Sequence, residues 1–321
     1  MKACFLVAVM VLVTACTDSN ELAKQKLSIS LGAQPSSSLV KLAIDSRQFD
    51  KHALTVEPDI HISGKVALKT AIKNQAAPDV LFASNIAFLA NQHLLPDYRI
   101  VATVFESDNI NALSSLTSFN DLHALEGKTL CTQYLSALHF FGQTLAQRNG
   151  VRNLEFKYFK LGDLNKKMIS GECDFITTRQ PFIEELSALT QRQHGLAFYP
   201  GTYLQYELML VHNRVSDAII ERFILGLLDT EEYLIKTISE VENEPCQFDD
   251  ICILHNKELL AHSVLEVSLY QTLIPLLDRE LEWLKRKAEV QTELVNTHHL
   301  FRTSPLSNVA PHRMTVMSYV D

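Results

Sequence analysis

The sequence predicts an α/β protein of two units, each a mainly parallel sheet flanked by helices, with a helical C-terminal part. Three observations lead there. Apolar runs of strand length alternate with amphipathic stretches of helical period, and capping or turn residues punctuate them. The composition, 47% apolar and 21% charged over 321 residues, is that of a globular chain long enough for about two domains. The 37 acidic residues outnumber the 29 basic ones without any run of Lys or Arg, so no counterion-releasing surface for nucleic acid is expected.

The elements follow in order. Met1-Lys2 and the 11 apolar residues Ala3 to Val13 read as a signal peptide over 1–15, because the run is too short to span a bilayer. Val13-Thr14-Ala15-Cys16 resembles a bacterial lipobox, which implies cleavage before a lipid-modified Cys16. Loss of Lys2 with the leader takes the formal charge from -8 to -9. Residues 16–26, polar and turn-rich, read as a lipidated tether. Four further cysteines remain, and an exported protein permits disulfides. Cys246 and Cys252 are six positions apart in a polar segment and form the favoured bridge. Cys131 and Cys173 pair if their strands are neighbours, or stay buried thiols. No C-x-x-C occurs and no His stands at a ligand spacing from these cysteines, so no metal is expected.

Leu27 to Leu31 alternates as a strand, and Gly32 to Ser38 forms a turn and cap before a helix from Leu39. Leu54 to Ile60 is the second strand, Ser63-Gly64 opens a helix to Lys73, and Asp79 to Phe82 is a third strand ending at Ser84-Asn85. The same pattern returns with a strand at 128–132, a helix from Ser136 to Arg148, a strand at 154–159, a helix at 163–170 and a strand at 174–177. Tyr206 to Val211 is a further strand, after which 217–240 and 257–289 read as helical. In open parallel sheets ligands lie beyond the carboxyl ends of the strands, where the polar loops of this chain fall.

Several segments together resemble the solute-binding proteins of ABC importers for nitrate, sulfonates and taurine, a family that includes binders of thiamine pyrimidine precursors. They are Ser63-Gly64 to Ala71 with Pro78-Asp79-Val80, Asp121-Leu122 to Glu126-Gly127-Lys128, Gly171 to Phe175 with Pro181, and Ser268 to Leu273 with Trp283 and Val309-Ala310-Pro311. The resemblance covers about residues 27–317 and implies a type II periplasmic-binding-protein-like clamshell. Lobe 1 would comprise 27–113 plus 209–321, and lobe 2 would comprise 114–208. Such a protein makes no bond: contacts of a small solute with both lobes bias it toward closure, for an ABC permease to read. A monomeric lipoprotein on the periplasmic face of a bacterial membrane is implied, without a cofactor. Thr17 after Cys16 favours the outer membrane, whereas import favours the inner one. A ligand sensor for a signalling partner and an enzyme on the same fold are the alternatives, the second opposed by the lipobox.

Candidate ligand contacts are loop residues. Gln34, Ser36, Ser37 and Ser38 precede a helix and either cradle an anion or serve as an ordinary cap. Ser63 and Gly64, then Ser84 and Asn85, occupy the equivalent loops, and Tyr134 and Ser136 start a helix in the second unit. Arg179 at a strand end suits sulfonate, carboxylate or phosphate oxygens, or a salt bridge to Glu184 or Glu185. The family pattern places an aromatic and an acid before Pro181. Thr178-Arg179-Gln180 departs from it, which puts the family's usual ligand class in question. Phe140, Phe141 and Trp283 read as packing residues, and Asp278 to Lys287 as a solvated helical face.

Overall fold

The computed structural model describes residues 24–74, 77–190, 195–241, 262–287 and 296–317. The expected leader, Cys16, most of the tether and the Cys246–Cys252 bridge lie outside these residues.

Strand β1 (Gln25–Gly32) passes through a 3-10 turn, Pro35–Ser37, into α1 (Ser38–Asp45). Strand β2 (Leu54–His61) leads to α2 (Gly64–Asn74), and β3 (Val80–Ser84) to the short α3 (Asn85–Leu89), before β4 (Tyr98–Ser107). The chain then crosses to a second sheet. Its elements are β5 (Ala112–Ser115), β6 (Thr129–Thr132), α4 (Ala137–Arg148), β7 (Glu155–Tyr158) and α5 (Leu164–Ile169). Strand β8 (Phe175–Thr178), α6 (Phe182–Thr190) and β9 (Gly195–Phe198) complete it. The chain returns as β10 (Gln205–His212) and ends with α7 (Asp217–Val241), β11 (Ser263–Val264), α8 (Leu273–Arg286) and α9 (Ser304–Val309).

The first sheet runs β11-β4-β10-β3-β1-β2 and the second β7-β6-β8-β5-β9. Each sheet with its helices forms one lobe. Neither sheet is mainly parallel, contrary to the sequence expectation. Among the described strands, the parallel pairs are β1–β2, β1–β3, β6–β7 and β6–β8. Strands β10 and β5 adjoin the crossings between lobes and pair antiparallel with both of their neighbours. A helical crossover makes successive strands parallel, while a strand arriving from the other lobe has no such constraint.

The crossings also fall a few residues from the expected boundaries. Ala112 and Leu113 already pair in the second sheet, and Gln205 to Leu208 in the first, so the chain crosses at 108–111 and 199–204. Strand β1 begins at Gln25, inside the expected tether, because Gln25 and Lys26 pair with Leu54 and Thr55. Among the described residues, the helix expected over 257–289 is observed as α8. Before it, Ser263–Val264 and Ser268 pair with β4, whose exposed edge would otherwise leave backbone groups unpaired.

The first sheet and its helices share one large core, which also takes in Ala137, Phe140, Phe141 and Leu145 of α4 from the second lobe. Trp283 of α8 seals this joint. Its ring meets Phe140 at 5.2 Å and His139 at 4.9 Å, and its indole N–H donates to Gln143 Oε1 at 3.2 Å. Phe140, Phe141 and Trp283 are thus packing residues. In the second lobe Cys131 and Cys173 are bonded, their Cα atoms 5.7 Å apart, since β6 and β8 are neighbours.

Candidate functional site

The loops after β1, β2 and β3 converge with the loops after β6 and β8 on the crevice between the lobes. The first lobe contributes Gln34, Ser63, Gly64, Lys65, Ser84 and Glu207 to a small cavity there, and the second contributes Gln133, Ser136, Ala137, Leu161 and Arg179. This inner cavity has about 10 Å³ of room, roughly one water molecule. It adjoins an outer cavity of about 660 Å³, which shares Lys65, Gln133 and Leu161 and adds the aromatic side chains Tyr134, Tyr158 and Phe159. A space of that size suits a small organic molecule.

Six sequence candidates line the inner cavity: Gln34, Ser63, Gly64, Ser84, Ser136 and Arg179. Two of them also cap helices. Ser63 Oγ accepts from Val66 N at 3.3 Å, and Ser136 Oγ accepts from His139 N at 3.4 Å while donating to Gln133 O at 2.6 Å. Gly64 is required for close packing: a Cβ there would stand 2.8 Å from Phe82 O and 2.9 Å from Glu207 Oε1.

The serines of the first loop do something that neither sequence reading foresaw. Ser37 occupies the N-cap of α1 without a side-chain capping bond. Its hydroxyl donates to Glu207 Oε1 at 3.5 Å, and Ser36 bonds the same carboxyl group. Ser38 is buried with its hydroxyl unpartnered. Asn85 is not among the cavity-lining residues. Its amide donates to Glu280 Oε1 at 2.7 Å, and its carbonyl accepts from Tyr203 Oη and from Tyr206 N at 3.1 and 3.2 Å. Tyr134 lines the outer cavity.

The charged residues carry most of the site's character. Arg179 pairs with neither Glu184 nor Glu185 among the described residues; the opposite charge acting on it is Glu207, from the other lobe. Burial lowers its pKa to about 10, so it stays cationic at neutral pH, and its Nε has no partner. Gln34, from the first lobe, likewise buries an unpartnered Nε2. Burial raises Glu207 to about 7 against the opposing effects of Ser36, Arg179 and Ser37. Lys65 is lowered to about 7, by burial first and then by Lys69, and its ammonium donates across the crevice to the carbonyls of Tyr134 and Leu135, the latter at 2.7 Å.

Lys65, Glu207, Gln133 and Leu161 were missed from the sequence. Glu207 carried a signal: it is a lone acid inside the apolar strand Tyr206 to Val211, where every residue proves buried. Lys65 carried none, since a Lys in the first turn of an amphipathic helix ordinarily faces water. The run Asp278 to Lys287 is not simply a solvated face either. Glu280 within it is fully buried, because α8 turns that position toward α3 and Asn85.

No protein-family model and no curated protein matches this chain. Its fold, however, matches solved structures over most of its length. The alkanesulfonate-binding protein SsuA from Xanthomonas axonopodis pv. citri, bound to MOPS, aligns with a TM-score of 0.67 at 18% identity, covering 87% of this chain and 98% of that one. The periplasmic nitrate-binding protein NrtA from Synechocystis PCC 6803 aligns at 0.65 with 8% identity, covering 91% and 89%. A Candida albicans protein described as having the generic periplasmic binding protein fold aligns at 0.62 with 12% identity, covering 92% and 98%. The chain has that two-lobed α/β fold, and its sulfonate- and nitrate-binding neighbours match the family its sequence resembles.

Proposed function

We propose that this chain is the substrate-binding lipoprotein of an ABC importer, capturing a small solute by closing its lobes. One observation carries the reading: Gln34 and Arg179, from opposite lobes, line one cavity, and each buries a donor without a partner, Nε2 and Nε. A buried donor left unpaired costs about 1–3 kcal/mol, so an acceptor group that satisfies both stabilises the closed arrangement over the open one. Gln34, Ser63, Ser84, Ser136 and Arg179 supply the contacts, and Tyr134 borders the larger space beside them. In this reading Cys16 anchors a monomer to the periplasmic face of the membrane, where a permease receives the solute. Among the described residues no helix is long and apolar enough to cross a membrane.

Purified residues 17–321 are expected to show a raised thermal midpoint with at least one of a panel of sulfonates, nitrate, taurine, phosphonates and pyrimidines. At 100 times Kd the linkage is about 2.7 kcal/mol. A midpoint unmoved by every compound would count against solute capture, and chemical turnover of any of them would favour an enzyme.

A further inference from the structure

The inner cavity contains a buried acid beside its buried cation. Glu207 and Arg179 attract one another across the crevice, yet among the described residues no direct hydrogen bond or ion pair joins them. The cavity therefore presents two separate demands. Arg179 Nε and Gln34 Nε2 lack an acceptor. Glu207, only 2% exposed, takes a 3.5 Å bond from Ser37 and a bond from Ser36, and these do not offset its burial. Wherever Glu207 is ionised, a bare oxyanion meets the first demand and worsens the second, because it places a like charge beside a buried carboxylate.

We propose that Glu207 is a specificity-determining residue, selecting solutes whose head carries an N–H donor or ammonium next to its acidic or acceptor group. The inference rests on the capture reading above and narrows its ligand class. With the lobes parted enough to admit a head larger than the water-sized space between them, the acceptor group goes to Arg179 and Gln34, and the donor goes to Glu207. Inorganic oxyanions and simple alkanesulfonates, which lack the donor, are disfavoured. The rest of such a solute extends past Lys65 into the outer cavity, whose Tyr134, Tyr158 and Phe159 suit an organic body.

The test is calorimetric titration of the detergent-solubilised full chain with matched pairs differing only in the donor. The probes are ethanesulfonate against 2-aminoethanesulfonate, propionate against 3-aminopropionate, and nitrate alone. In at least one pair the amino member is expected to bind at least tenfold more tightly, and Glu207→Gln is expected to shrink that ratio by a similar factor while Arg179→Met weakens both members. The wild-type ratio needs no variant to fold. Equal or tighter binding of the bare members, or a ratio unchanged by Glu207→Gln, overturns the role of Glu207 and leaves solute capture standing. Failure of every probe to bind counts against both.

Discussion

Glu207 and Glu280 are both buried carboxyl groups, the first at the crevice between the lobes and the second within the first lobe, and burial raises both, to about 7 and about 8 from 4.5. What surrounds them differs. Glu280 accepts from Asn85, which is itself fixed by Tyr203 of the crossing segment and by the backbone of Tyr206. Glu207 is bonded by two serines of its own lobe, but the charge that favours its ionised form is Arg179 of the other lobe. A similar burial penalty is thus partly offset from one side in one case and across the crevice between lobes in the other. Glu280 belongs to the packing of α8 on α3, whereas the state of Glu207 depends on how near the second lobe stands.

The largest expected effect separates the two acids by pH. Both folded-state values lie above the unfolded value, so the folded chain holds more protons between pH 4.5 and about 8. Their contribution to stability is complete below pH 4.5 and is lost as pH rises through about 7 for Glu207 and about 8 for Glu280. Urea denaturation at pH 5 and pH 9 should show Glu280→Gln removing a loss on the order of 3–5 kcal/mol, with Glu207→Gln removing a smaller one that is complete at lower pH. Identical pH slopes for the wild type and both variants would break the comparison.

Next in size is Asn85→Ala. It removes the Asn85 bonds to Glu280 Oε1, Tyr203 Oη and Tyr206 N, so a destabilisation of roughly 2–3 kcal/mol is expected at pH 6. A change under half a kcal/mol would mean water replaces those bonds. Smallest is Ser37→Ala, which removes one long bond to Glu207 and should cost about 0.5–1 kcal/mol while moving the pH dependence assigned to Glu207 upward. Unchanged titration would show that Ser36 alone supports the carboxyl group.

Much of the fold was legible because local rules acted consistently. The strands at 27–31, 54–60, 128–132 and 206–211 appear with shifts of a residue or two. Loop residues such as Ser63, Ser84 and Arg179 reach the crevice because they follow strand ends, and sheet architecture gathers such ends on one side. Less visible were β4 and β11, whose pairing is with residues far along the chain, including Thr103 with Ser268. The same holds for the Cys131–Cys173 bond, which sequence arithmetic ranked second: it depended on β6 and β8 being neighbours.

The sequence by itself determined the α/β alternation, the polar loops after the strands and the family resemblance, since periodicity, capping and turn chemistry act over a few residues. Only the tertiary structure decided that Lys65 would bond the carbonyls of the opposite lobe, that Ser36 and Ser37 would hold a carboxyl group rather than cap a helix, and that Glu207 would face Arg179. Those outcomes depend on partners tens to more than a hundred positions away, and on the water excluded when the two lobes meet, which no local pattern encodes.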